Sequence, residues 1–133
     1  MKKLFLEPLK TGIGRIGKKR AEICVIGVGT VGLAEAVFYA QAGFKVRGLD
    51  INPKRVEQIN SHTAVFEYPE KLRKAVKSGR LTATTNPKDA IKGSDAVIVC
   101  VPTPLREDRS IDLKYVMRAA SDIAANMEKG FLI

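Results

Sequence analysis

Apolar residues along this chain follow two alternating patterns, short continuous runs and longer stretches with helical spacing. The first run is Ile23 to Ile26, and a second lies within 95–101. Continuous runs of this length are typical of parallel strands that are covered on both faces. After the first run, apolar residues recur at i, i+3, i+4 and i+7 until a glycine ends the pattern, which predicts a helix: Leu33, Ala36, Val37 and Ala40, then Gly43.

The alternation continues along the rest of the chain. We expect a second strand over 44–50, helices after Asn52-Pro53 and over about 70–78, a third strand over 81–85, a short helix over 86–93 and a fully buried fourth strand over 95–101. Asp112 is predicted to cap a further helix, whose expected apolar face is Leu113, Val116, Met117, Ala120, Ile123, Ala124 and Met127. Residues 131–133 begin a fifth strand.

Strands alternating with helices predict an α/β fold, a doubly wound parallel sheet of the Rossmann type with strand order 3-2-1-4-5. We place this domain at 21–133 and a basic leader at 1–20, where Gly12, Gly14 and Gly17 should interrupt any helix. Because the sequence stops three residues into its fifth strand, we expect a truncated piece of a longer protein.

The most informative motif is Gly27-x-Gly29-x-x-Gly32 between the first strand and the first helix, with Asp50 at the end of the second strand. In such a turn the first glycine permits the tight bend, the second admits a pyrophosphate and the third lets helix and sheet pack closely. The acid accepts hydrogen bonds from the adenosine ribose and disfavours a 2′-phosphate. The motif therefore predicts NAD, in preference to NADP, as a bound cofactor.

The net charge of +9 is unevenly distributed, since residues 1–20 hold seven of the 23 basic residues and one of the 14 acidic ones. A basic run of this kind is usually a solvated extension, and no aromatic residues are interleaved with it after Phe5, so nucleic-acid binding is the minority interpretation. No apolar run approaches the roughly 20 residues of a membrane span, and the N-terminus lacks a secretory pattern. Cytoplasmic location is the default expectation.

The remaining reactive side chains do not indicate catalysis or metal binding. Cys24 and Cys100 fall in predicted strands without metal-ligand spacing, so we expect two reduced, buried thiols, with a disulfide as the alternative if the strands are neighbours. The single histidine, His62, is expected in a solvated loop.

Three segments together resemble a known family: residues 25–33, residues 49–55 and residues 98–104, of which Val-Pro-Thr-Pro at 101–104 is the specific part. They are similar to the N-terminal domain of nucleotide-sugar 6-dehydrogenases, the UDP-glucose/GDP-mannose dehydrogenase family. The resemblance implies oxidation of the C6 alcohol of a UDP-sugar to a carboxylate, with two NAD molecules used in succession, in polysaccharide biosynthesis. It leans slightly towards members that act on UDP-N-acetylmannosamine over those that act on UDP-glucose.

The resemblance also implies which residues bind the cofactor. The backbone of Val28, Gly29, Thr30 and Val31 would hold the pyrophosphate, Asp50 the adenosine ribose, and Arg55 would lie near the adenosine or the phosphate. The cofactor would further be lined by Val101, Pro102, Thr103 and Pro104.

The family's catalytic residues come from segments beyond Ile133, so the resemblance implies no catalytic residue in this chain and a UDP-sugar bound only with the missing part. Cys100 lies in the wrong segment to be the nucleophile. Thr30 stands where the family often has tyrosine, Arg109 replaces a common glycine, and residues 61–65 lack the usual glycine and proline.

Two other interpretations stay open. The chain could be a stand-alone NAD-binding regulatory module, or the first domain of a dehydrogenase of the 3-hydroxyacid or 6-phosphogluconate type. The oligomeric state cannot be predicted from these residues.

Overall fold

A computed structural model describes residues 14–18, 20–128 and 133 of the chain. Its sheet has four parallel strands in the order β3-β2-β1-β4. The strands are β1 (Glu22–Ile26), β2 (Lys45–Leu49), β3 (Leu81–Thr84) and β4 (Ala96–Val99). This order is the one predicted for the first four strands of a Rossmann-type sheet, so the fold class is confirmed.

Within the described ranges, five helices connect and cover the strands: α1 (Thr30–Ala42), α2 (Pro53–Asn60), α3 (Pro69–Lys77), α4 (Pro87–Ile91) and α5 (Lys114–Asn126). Two of them begin with the same type of N-cap. The side chains of Asn52 and Asn86 accept hydrogen bonds from the first free backbone N–H groups of α2 and α4, and proline occupies the first helical position of each. Both helices therefore begin where the Asn-Pro pairs predict.

The apolar side chains form one core on each face of the sheet. On one face α1, α2 and α3 cover the sheet with residues that include Leu33, Ile59 and Leu72, all fully buried. On the other face α4 and α5 cover it, with Ile91 and Ile123 as central residues. Helices on both faces explain why β1 is an uninterrupted apolar run.

Three predictions about local structure were wrong. Strand β4 ends at Val99, which is 37% exposed, so the segment 95–101 is shorter as a strand than predicted and not fully buried. Helix α5 buries Ala119 and Ile123 but exposes Met117, because its inward stripe is rotated from the predicted apolar face. Residues 14–17 form a helical turn despite the glycines, with the N–H of Lys18 donating to the carbonyl of Gly14 at 3.2 Å, and Arg15 connects this turn to Asp95 by an ion pair at 3.3 Å.

Of the predicted leader the structure describes only residues 14–18 and 20, and of the predicted fifth strand it describes only residue 133. Among the helices that the structure describes, none is both long enough and apolar enough to cross a membrane.

Candidate functional site

The glycine turn joins β1 to α1 at the carboxyl edge of the sheet. Gly27 has a left-handed backbone (φ 86°), and its N–H donates to the carbonyl of Leu49 at 2.8 Å. A Cβ placed on Gly32 would lie 1.8 Å from the carbonyl oxygen of Gly27, so helix and turn approach more closely than any side chain permits. The roles that the motif predicts for the first and third glycines are therefore confirmed by the backbone.

Free amide groups line the start of α1. The first helical bond runs from the N–H of Leu33 to the carbonyl of Gly29 at 3.1 Å. Within the described part of the chain, no hydrogen bond leaves the N–H of Gly29, Thr30 or Val31. A Cβ on Gly29 would meet nothing within 4 Å. Unpaired N–H groups at the positive end of a helix dipole, with open space in front of them, suit an anionic group.

Asp50 lies directly after β2 and faces the glycine turn. One carboxylate oxygen accepts from the N–H of Val28 at 3.1 Å, and the other accepts from the N–H of Asn52 at 2.9 Å. Each carboxylate oxygen can accept two hydrogen bonds, so acceptor capacity remains for a ribose diol. The bond to Asp50 occupies the N–H of Val28. The amides available to a pyrophosphate are thus those of Gly29 to Val31, and the predicted contribution of Val28 stays a prediction.

Arg55, in the first turn of α2, contacts the same loop. Its Nε donates to the carbonyl of Val28 at 2.8 Å, and one terminal nitrogen donates to the carbonyl of Gly29 at 3.0 Å. The resemblance predicted Arg55 near the adenosine or the phosphate. In the structure its guanidinium is bonded to loop carbonyls, a contact that the sequence did not indicate.

A cavity of about 690 Å³ opens in front of these amides. The predicted site residues that line it are Gly29, Thr30, Val31, Asp50, Val101 and Pro102. Its far wall comes from α5, through Tyr115, Arg118 and Asp122. Sequence reasoning missed these residues because α5 begins 64 residues after Asp50 and the side that faces the cavity carries no recognised motif. Arg55 lines a second cavity of about 560 Å³ that also reaches Gly29, Thr30 and Asp50.

The Val-Pro-Thr-Pro segment continues from β4 towards this cavity. Val101 and Pro102 line it, whereas Thr103 and Pro104 are exposed and do not. The carbonyl of Pro104 instead accepts from the N–H of Asp112 at 2.8 Å. Contact of Thr103 and Pro104 with a cofactor therefore stays a prediction.

Residues 105–111 form a small hairpin beyond this segment, closed by a bridge between Leu105 and Ile111. Arg109, at its turn, has a left-handed backbone with φ 66°. Asp112 follows the hairpin and precedes α5 by two residues. Its carboxylate accepts from the N–H of Lys114 at 3.0 Å, and this bond holds the pKa of Asp112 below its usual range, against the opposing effect of burial.

Both cysteines are free thiols, and they lie on opposite faces of the sheet. Cys24 is fully buried, which raises the pKa of its thiol to about 12. Cys100 is half-buried and lines the cavity, and burial followed by the charge of Glu35 raises the pKa of its thiol. Although β1 and β4 are neighbours, the opposite orientation excludes the disulfide that the sequence left open.

The surroundings of His62 and the arrangement of potential metal ligands can be described for the same residues. His62 is half-buried after α2, in a left-handed conformation with φ 51°, and its N–H donates to the carbonyl of Ile59. No group of three or more histidine, cysteine, aspartate or glutamate side chains in the described ranges could hold a metal ion.

Comparison with known proteins gives one consistent family. Residues 21–133 match the family described as UDP-glucose/GDP-mannose dehydrogenase, NAD binding domain. UDP-N-acetyl-D-mannosamine dehydrogenase from Methanocaldococcus jannaschii is 39% identical over 132 residues, which cover 93% of this chain and 28% of that protein.

Solved structures agree. A UDP-N-acetyl-D-mannosamine dehydrogenase from Pyrococcus horikoshii superposes with a TM-score of 0.77 at 33% identity, over 84% of this chain and 27% of that one. A UDP-glucose dehydrogenase from Pyrobaculum islandicum gives a TM-score of 0.74 at 36% identity, over 77% and 24%. The chain thus spans about a quarter of the length of these relatives.

Proposed function

Since this chain belongs to the UDP-glucose/GDP-mannose dehydrogenase family as its NAD-binding domain, we propose that it is the cofactor-binding part of a nucleotide-sugar 6-dehydrogenase. The reaction proposed for the whole enzyme converts the C6 alcohol of a UDP-sugar and one water into a carboxylate. Two NAD are reduced to two NADH, and three protons are released. The described residues contribute binding and orientation to this reaction, and the proton transfers belong to other segments.

NAD is the cofactor of this domain family, and the geometry fits it. We place the pyrophosphate on the free N–H groups of Gly29, Thr30 and Val31, because they face the 690 Å³ cavity at the positive end of α1. We place the adenosine ribose on Asp50, whose carboxylate lies beside those amides and keeps free acceptor positions. This juxtaposition of unpaired amides and a carboxylate is the observation that carries the proposal.

The Val101-Pro102 segment would line the cofactor beyond the pyrophosphate. It leaves the carboxyl end of β4, next to β1, and ligands of doubly wound sheets bind at this edge. Proline at 102 and 104 restricts the backbone there, so the wall is pre-organised. Thr103 offers an exposed hydroxyl just outside the described cavity.

For the substrate we propose UDP-N-acetylmannosamine over UDP-glucose, within polysaccharide biosynthesis. The support is the name and the 39% identity of the relative from M. jannaschii. The fold alone does not decide, since the TM-scores to a UDP-N-acetyl-D-mannosamine dehydrogenase and to a UDP-glucose dehydrogenase differ by only 0.03 (0.77 against 0.74). Oxidation of each sugar by the complete enzyme, followed as NADH absorbance, tests this choice.

Calorimetric titration of the 133-residue chain tests cofactor binding. We expect NAD to bind and NADP to bind clearly more weakly, because a 2′-phosphate would meet the carboxylate of Asp50. In Asp50→Asn the amide oxygen can still accept one backbone N–H, but the charge is lost. NAD affinity should then fall by about tenfold, the equivalent of one charge-assisted hydrogen bond. Glu57→Ala, an exposed acid on α2 that lines neither cavity, is the matched control. Equal affinity of Asp50→Asn and wild type would contradict the ribose assignment.

A further inference from the structure

Arg55 bonds two consecutive peptide groups of the glycine turn. Nε donates to the carbonyl of Val28 and a terminal nitrogen donates to the carbonyl of Gly29, at 2.8 and 3.0 Å. The two bonds use the fixed fork of one guanidinium, which a lysine ammonium cannot reproduce. They connect the first turn of α2 to the loop across 26 and 27 positions of sequence.

The planarity of the peptide bond gives these contacts a consequence. In a trans peptide the C=O and the N–H point in opposite directions. The carbonyl of Val28 shares its peptide plane with the N–H of Gly29, and the carbonyl of Gly29 shares its plane with the N–H of Thr30. By holding the carbonyl of Val28 on its own side, Arg55 turns the N–H of Gly29 to the other side. At the carbonyl of Gly29 it acts together with the N–H of Leu33, and the two bonds turn the N–H of Thr30 outward. Both N–H groups belong to the unpaired amides at the start of α1.

Asp50 fixes the preceding peptide from a different direction, through the N–H of Val28. The turn is therefore held at three successive peptides by one anion and one cation, each anchored on its own element. A loop that already points its donors outward does not lose conformational freedom when an anion arrives, and such pre-organisation raises affinity. The positive charge of Arg55 adds to the potential of the helix end.

We propose that Arg55 is a positioning residue for diphosphate recognition: it acts by aiming the N–H groups of Gly29 and Thr30, and not by contacting the adenosine. The inference rests on the proposed placement of the NAD pyrophosphate at the start of α1. It gives a different role to a side chain that the family resemblance places near the adenosine or the phosphate.

Two ligands separate positioning from contact: ADP-ribose, which carries the diphosphate, and adenosine, which lacks it. We compare wild type, Arg55→Met and Arg55→Lys by titration, with Lys54→Met as the matched control on the same helix turn. For Arg55→Met we expect about a tenfold loss of affinity for ADP-ribose and NAD, and less than about a twofold change for adenosine. Arg55→Lys should lie between wild type and Arg55→Met, since lysine can reach one carbonyl only.

Amide signals in the ligand-free protein give a second readout that needs no cofactor. In ¹H–¹⁵N spectra, the signals of Gly29 and Thr30 should shift or broaden in Arg55→Met, and those of the control should not move. If Arg55→Met does not fold, Arg55→Lys decides by the same comparisons.

An equal loss of affinity for adenosine and for ADP-ribose would show that Arg55 contacts the nucleoside, and it would overturn the proposal. Unchanged amide signals of Gly29 and Thr30 in Arg55→Met would also overturn it. Failure of the wild-type chain to bind NAD or ADP-ribose would instead overturn the proposed function. The amide signals would then still decide whether Arg55 orients the loop.

Discussion

The same added methyl group should lower stability at one glycine of the turn and NAD affinity at another. In Gly32→Ala the new Cβ would lie 1.8 Å from the carbonyl oxygen of Gly27 and 3.2 Å from the Cβ of Cys100. The first neighbour is backbone and cannot rotate away, so α1 must move off the sheet. In Gly29→Ala the new Cβ meets nothing within 4 Å, and the space that it takes is the one proposed for the diphosphate.

The magnitudes follow from these distances. Forced overpacking in a core costs typically ~1–3 kcal/mol, and a clash with backbone belongs at the upper end. For a chain of this size ~1 kcal/mol corresponds to a change in Tm of about 4 °C, so Gly32→Ala should melt about 12 °C below wild type. Gly29→Ala should melt within about 4 °C of wild type, yet bind NAD at least about tenfold more weakly.

Thermal unfolding followed by circular dichroism, with NAD titration of each folded variant, measures both effects. Gly14→Ala serves as a control, because a Cβ there also meets nothing within 4 Å and Gly14 lies outside both cavities. A Gly32→Ala variant with the wild-type Tm would refute the packing argument. Unchanged NAD affinity in Gly29→Ala would refute the placement of the diphosphate.

Two further predictions come from backbone strain and from the thiols. Arg109→Gly should raise Tm by about 4 °C, since a non-glycine residue at φ 66° costs ~1–2 kcal/mol and the greater freedom of glycine in the unfolded chain offsets part of this gain. Arg109→Ala keeps a Cβ and should not stabilise the fold. Equal Tm values for the two variants would contradict the strain argument. Iodoacetamide should modify Cys100 slowly at pH 8 and faster as the pH rises, because the raised pKa of its thiol leaves little thiolate. Bound NAD should slow this reaction further. Peptide mass spectrometry should show Cys24 modified only when the protein unfolds.

The sequence predicted the fold well where local pattern and fold agree. The apolar run of β1 and the Asn-Pro pairs that open α2 and α4 depend on burial and on hydrogen bonds within a few residues, and the structure confirms them. Prediction was poorer for β4 and α5, because apolar residues on these elements are not all turned inward. Val99 and Met117 are exposed within the described chain, and hydrophobicity alone cannot distinguish them from core residues.

Contacts between distant segments were beyond prediction for a different reason. Arg47 lies within β2, where its charge breaks an apolar pattern, and it donates to the carbonyls of Asp89 and Lys92 at 3.0 and 2.8 Å. It also pairs with Glu22 at 2.9 Å. The partners come from β1 and from the C-terminal end of α4, so no spacing in the sequence reveals them. The contact of Arg55 with the glycine turn is of the same kind.

Two departures from the family pattern acquire a physical meaning in the structure. The resemblance places a common glycine at position 109 and a glycine in the stretch 61–65. The two non-glycine residues with positive φ in the described chain are Arg109 and His62, in those same two places. Their amide groups still close the turn: the N–H of His62 donates to the carbonyl of Ile59 and that of Arg109 to the carbonyl of Arg106. Both positions therefore keep the left-handed backbone that glycine adopts without strain, and hydrogen bonds within each turn hold a non-glycine residue in that conformation.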